Sequence, residues 1–174
     1  MKKLMVMVVM LVMAGCAGLD RAPDANKPIE FVLDVPGKTK DQLFSASKSW
    51  IAETFVSGKS VIDDADKDSG RIIAKGRIKH PCVKGFACGD KLIGFTLRID
   101  TKEGKLRTVF TNPTVYTPPK SGHMLVLTYI KGTPEGEYSI WADGDLADAK
   151  KAFGVLSDEL QRYIASESVG AKSW

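Results

Sequence analysis

Residues 92–110 read LIGFTLRIDTKEGKLRTVF, two segments in which apolar and polar side chains alternate. A period of two sends Ile93, Phe95, Leu97 and Ile99 to one face and Arg98 to the other. In the second segment Leu106, Thr108 and Phe110 fall on the first face, and Lys105 and Arg107 on the second. Thr101-Lys102-Glu103-Gly104 joins the two as a hairpin turn, with Gly104 suited to positive φ. Such a pair makes an antiparallel sheet with one apolar and one charged face, and other elements must cover the apolar face.

The rest of the chain supplies those elements. Ile29–Val35, IEFVLDV, alternates and reads as a strand ended by Pro36-Gly37. Thr39-Lys40-Asp41-Gln42 matches a capping box. Leu43, Phe44, Ala46, Trp50, Ile51 and Phe55 follow at helical spacing, and the helix should stop before Gly58. SVIDD reads as a short strand and RIIAKGRIKH as a longer one. Asn112-Pro113 and Pro118-Pro119 break regular structure. HMLVLTYI, residues 123–130, is apolar on both parities and reads as a doubly buried strand or a helical segment, with YSIWA a hairpin arm beyond it. Asp143 or Asp145 caps a final helix whose stripe is Leu146, Ala149, Phe153, Leu156, Leu160, Tyr163 and Ile164, with Gly154 marking a close backbone approach. The fold class is therefore α+β, an antiparallel sheet of about five to seven strands with two helices on one face.

The start, MKKLMVMVVMLVMAGC, concerns compartment rather than fold. Lys2 and Lys3 precede an apolar run, Leu4–Met13, too short to span a bilayer. Met13-Ala14-Gly15-Cys16 resembles a bacterial lipoprotein signal, with Met at its first place instead of Leu. The resemblance implies cleavage before Cys16, a diacylglycerol on its sulfur, acylation of the new amine and membrane attachment. Palmitate is among the acyl groups expected. Alanine at residue 17 favours the outer membrane, facing the periplasm, in a host with two membranes. Cleavage leaves 174 − 15 = 159 residues, enough for one domain with a real core, and removal of Lys2 and Lys3 takes the formal charge from +4 to +2. That charge is no nucleic-acid signature, and no nucleic-acid partner is expected. Residues 1–15 read as signal peptide, 16–27 as a lipidated tether, 28–168 as one α+β domain and 169–174 as a tail. The eleven residues Ala17–Lys27 reach at most roughly 35–40 Å, which keeps the domain near the membrane surface.

Within that frame HPCVKGFACGD, residues 80–90, places Cys82 and Cys88 in an oxidising compartment. An even pair there reads as a disulfide clamping the loop between two strands. A zinc site wants four ligands and only His80 is near; a thioredoxin-like pair wants two intervening residues, not five. His80 falls on the inward parity of its strand, a packing position, and no metal or cofactor is expected. DDADKDSG resembles a calcium loop in Asp64, Asp66 and Asp68, but has Ser69 where glycine is required and Lys75 where glutamate is, so it reads as a solvated turn.

The outward parity collects cations. Arg71, Lys75, Arg77 and Lys79 share it with Arg98, Lys105 and Arg107, giving a helix-free sheet face of basic character. Such a face suits lipid headgroups, lipopolysaccharide, cell-wall polymer or an acidic envelope protein. The alternative is a solvated face whose charges protect the sheet. No nucleophile elbow, zinc-protease motif or phosphate loop is present, so an enzyme is not expected.

The strand IEFVLDVPG, the helix from Thr39 to Phe55 with Trp50, the strand RIIAKGRI, the hairpin LIGFTLRID and the final helix resemble a family of bacterial envelope proteins known as a domain of unknown function with a TBP-like fold. The resemblance spans about residues 28–166 and implies a fold, not DNA binding. The functional expectation is a lipid-anchored envelope protein with a non-enzymatic binding or structural role. The rival is a small-molecule carrier or enzyme with a pocket between sheet and final helix, lined by Phe95, Phe110, Phe153 and Leu156.

Overall fold

A computed structural model of the chain describes residues 24, 26–55, 61–81, 91–117, 136–140 and 143–170. The elements run β1 (Ile29–Asp34), α1 (Lys40–Thr54), β2 (Ile62–Asp66), β3 (Arg71–Lys79), β4 (Leu92–Lys102), β5 (Lys105–Thr117), β6 (Gly136–Ser139) and α2 (Asp143–Gly170). The strands form one antiparallel sheet of six, in the order β1-β5-β4-β3-β2. β6 lies beyond β1 on the same side of β5, pairing Thr114–Thr117 with Ser139–Gly136.

The alternating hairpin sits where its pattern requires. β4 and β5 are central, Lys102 pairs with Lys105, and the turn tightens to Glu103 and Gly104, with Gly104 at φ 67°. Ile93, Phe95, Leu97, Ile99, Leu106 and Phe110 are buried on the inner face. The Asn112-Pro113 break proves to be a kink within a strand. The β4–β5 register shifts between Gly94 and Thr96, and Asn112 takes φ 50°. Asparagine tolerates that left-handed conformation, and a bulge accommodates a proline that cannot donate to the ladder.

Helix α1 starts on the expected box. Thr39 Oγ1 accepts from Gln42 N–H at 3.2 Å, and Gln42 Oε1 accepts from Thr39 N–H at 3.0 Å. Glu103, from the hairpin turn, accepts a third amide, Lys40 N–H, at 3.0 Å. α2 begins at Asp143, so Asp145, expected as a possible cap, lies in its first turn, where its charge suits the helix dipole.

Both helices cover the same face, α1 across β3–β5 and α2 across β5 and β1. The centre of the core is aromatic. Phe110 and Phe153 stack at 4.3 Å with their planes 2° apart, and Phe95 meets Phe153 at 5.0 Å and Phe110 at 5.4 Å. Phe55 and Trp50 extend the cluster into α1. One buried polar contact ties sheet to helix: Ser157 Oγ donates to Phe153 O at 2.9 Å, leaving Thr108 Oγ1 to donate to Ser157 Oγ at 2.8 Å.

Gly154 lies under the Phe31 ring, a side chain rather than a second backbone; a Cβ there would stand 3.6 Å from the ring, ordinary contact. Gly154→Ala should therefore stabilise the protein by about 0.5–1 kcal/mol, the helix-interior advantage of alanine. A urea midpoint that falls would show that the Phe31 contact leaves no room.

The helix-free sheet face as candidate functional site

The ladder registers set the outer face in rows. One row runs Asp66, Arg71, Asp100, Arg107, Val32 from β2 to β1, and the next runs Asp64, Ile73, Arg98, Val109, Glu30. Farther on, Lys75 stands opposite Thr96, Arg77 opposite Gly94 and Lys79 opposite Leu92. All seven cations expected on this face, Arg71, Lys75, Arg77, Lys79, Arg98, Lys105 and Arg107, share its parity.

They do not make it uniformly basic. Arg71 and Arg98 lie 3.5 and 3.2 Å from Asp100, and Arg107 reaches Asp100 at 2.8 Å and Glu30 at 3.5 Å. Lys75 pairs with Asp63 at 2.8 Å, Arg77 with Glu137 at 2.7 Å and Lys105 with Asp34 at 3.4 Å. Among the described residues only Lys79 of the seven has no carboxylate partner. The acids stand mainly on the edge strands β1, β2 and β6, and the arginines on the central three. The exception is Asp100, at the middle of the sheet.

Burial pushes the Asp100 carboxyl up. The hydrogen bonds from Arg107, the charges of Arg98 and Arg107 and the bond from Arg71 outweigh it and hold the group below the usual carboxylate range. Val109, outward by parity, is only 3% exposed. A second cluster forms where β6 joins. Thr114 Oγ1 donates to Glu137 Oε1 at 2.6 Å, Arg77 Nη2 donates to Oε2 at 2.7 Å, and the Arg77 guanidinium lies 5.1 Å from the Tyr116 ring centre. The Thr114 bond foremost, and Arg77 with it, hold the Glu137 carboxyl below its ordinary value against the effect of burial. Gly94 makes this possible, because a Cβ there would come within 2.5 Å of Thr114 Oγ1 and 3.0 Å of Glu137 Oε1.

The remaining expected sites separate from this face. Cys16, Cys82 and Cys88 lie outside the described residues. In the acidic turn, Asp66 Oδ1 accepts from the backbone amides of Asp68 and Ser69, at 3.0 and 3.3 Å, so this carboxylate serves its own turn. The His80 side chain is buried, 4% exposed, with Nε2 3.4 Å from Asp145 Oδ1 and Nδ1 3.9 Å from Asp148 Oδ2 on α2. The space proposed for a pocket, beside Phe95, Phe110, Phe153 and Leu156, is occupied by those side chains packing on one another. The acids of the outer face were the missed residues. Parity in IEFVLD already sends Glu30 and Asp34 outward, and parity in LRID sends out Asp100.

Over residues 30–116 the chain matches the family described as a domain of unknown function, DUF4468, with a TBP-like fold. The chain belongs to this family. A crystal structure of a DUF4468 family protein from Bacteroides ovatus is similar, with a TM-score of 0.55, 12% identity and coverage of 86% of this chain and 90% of that one. A TBP-like protein from Parabacteroides distasonis is similar with a TM-score of 0.58 and 12% identity, over 83% of this chain and 96% of that one. At that identity the likeness is one of fold. No curated protein matches the chain. The match covers β1 to β5 almost completely and so includes the arginine rows, but not β6 or α2.

A carboxyl held below its unfolded value stabilises the fold above that value, and the contribution fades as pH falls through the lowered one. Asp100→Asn should therefore cost on the order of 1–2 kcal/mol near pH 7, as expected for lost charge-assisted bonds. The gap to the parent should begin to close below about pH 4, the unfolded carboxyl's value, and close further as pH falls through the lowered folded one. Urea midpoints at pH 7 and pH 3 that keep the same gap would contradict this origin.

Proposed function

We propose that this protein is a lipid-anchored lipoprotein of the bacterial envelope whose folded part is a non-enzymatic binding or structural module acting through the helix-free sheet face. The carrying observation is the division of the sheet. Rings and helix side chains fill the inner face, and among the described residues no helix covers the outer face, where arginines project from the three central strands. Membrane attachment rests on Lys2, Lys3, the run Leu4–Met13 and Ala14-Gly15-Cys16, and Ala17 favours the outer membrane in a two-membrane host. No helix among the described residues is long and apolar enough to cross a membrane. The partner is an anionic envelope component or an envelope protein bearing acidic groups, not nucleic acid. The pocket reading is disfavoured because its site is filled by Phe95, Phe110 and Phe153 in mutual contact.

Cells fed labelled palmitate should incorporate it into the parent chain and not into Cys16→Ser, which should leave the membrane fraction. Label retained by Cys16→Ser would remove the anchor from the proposal. For the face, a photo-crosslinker at Thr96 should capture a defined partner in intact cells. Combined charge reversal at Lys75, Arg77 and Arg98, with the fold verified by circular dichroism, should abolish the capture. Unchanged capture would exclude the face as the binding surface.

A further inference from the structure

Three arginines converge on one carboxylate at the middle of the open face. Asp100 Oδ2 accepts from Arg107 Nε at 3.2 Å and Nη2 at 2.8 Å, and lies 3.2 Å from Arg98 Nε; Oδ1 lies 3.5 Å from Arg71 Nε. Glu30 meets Arg107 Nη1 at 3.5 Å. Asp66, across from Arg71, turns its Oδ1 to the amides of Asp68 and Ser69. Arg71 and Arg98 thus reach Asp100 only through Nε, and among the described residues no hydrogen bond engages their terminal nitrogens. Arg98 Nε is buried and makes no aligned hydrogen bond although Asp100 is near. Around Asp100 the three guanidinium groups are balanced by the carboxylates of Asp100, Glu30 and Asp66, but the terminal nitrogens of Arg71 and Arg98 are forked donors suited to an oxyanion with several acceptor oxygens.

The ladder places Arg71 and Arg98 as diagonal neighbours, one residue pair apart on β3 and β4. Diagonal Cβ atoms stand about 7–8 Å apart, a gap that two arginine side chains close easily around one small anion. The acids on both edge strands, Asp63, Asp64, Glu30 and Asp34, flank this centre. They would repel a flat polyanionic surface while leaving the centre open to a single group.

We propose that Arg71 and Arg98, supported by Arg107, bind one phosphate group carried by a small soluble molecule. The proposal rests on the reading of this face as a binding surface. Asp100 is then a resident competitor that holds the guanidinium groups in place when the site is empty.

The test uses the full chain carrying Cys16→Ser, so that no lipid anchor contributes, at low salt. Inorganic pyrophosphate titrated calorimetrically should bind at one saturable site. Arg71→Gln with Arg98→Gln should weaken it roughly tenfold or more, the loss expected for charge-assisted bonds. Asp100→Asn should tighten it severalfold, a gain that misfolding cannot produce. Vesicles of phosphatidylcholine with phosphatidylglycerol should not retain the protein. Absence of pyrophosphate binding, equal binding by the double variant, weaker binding by Asp100→Asn, or retention by vesicles alone would each overturn the proposal. Should pyrophosphate fail while capture in cells still depends on Lys75, Arg77 and Arg98, the phosphate assignment falls and the binding face stands.

Discussion

The stack of Phe153 on Phe110 fixes the rest of the molecule. Its rings lie 4.3 Å apart and nearly parallel, joining the middle of β5 to the middle of α2. Phe95 closes the group from β4 and passes the contact to Phe55 and Trp50 at the end of α1. Two helices far apart in sequence are thereby held to the same sheet face by one continuous apolar cluster. Interiors pack at crystal-like density, so an interior organised around interlocked rings has no slack to lend to a ligand.

The opposite face of the sheet meets two requirements at once. An open antiparallel sheet must keep its edge strands from pairing with other chains, and charge on the edges is an established means. Here the edge charge is acidic, with Asp63, Asp64 and Asp66 on β2 and Glu30 and Asp34 on β1. The central strands carry the complementary arginines. The result is a face close to neutrality in sum and strongly patterned in detail. Exposed pairs of this sort contribute little stability each. What the pattern does control is the approach of other charges, because a neutral sum attracts no distant polyanion.

The sequence made much of this legible and left the pairing out of reach. Period-two alternation from Leu92 to Phe110, the capping box at Thr39 and the helical stripes are local signals, and the corresponding elements stand where those signals point. The side of the sheet for each of the seven cations followed from the same alternation. Their partners did not, because ion pairs across strands depend on register. Glu30 meets Arg107 only because Val32 lies opposite Arg107, and nothing within β1 or β5 alone announces that alignment. Glu137 belongs to a four-residue strand beside a bulge, too short for a period to show. Proline 113 misled for a similar reason: a break in pattern is also what a bulge inside a continuous strand looks like.

Asp100 connects the two roles of the outer face. Three guanidinium groups brought together without it would repel one another, and the central strands would lose stability at the row that holds them. With it, the arginines are ordered before any ligand arrives, so less rotamer entropy is lost on binding. The same carboxylate must share its arginines with whatever binds, which limits affinity. Arg107, bound twice to Asp100 and once to Glu30, is the most fully committed of the three and serves as the fixed support. Arg71 and Arg98, attached through Nε alone, keep their outer nitrogens for exchange. The asymmetry among three chemically identical side chains therefore follows from register, and it separates the one that holds the cluster together from the two whose terminal nitrogens no hydrogen bond engages among the described residues.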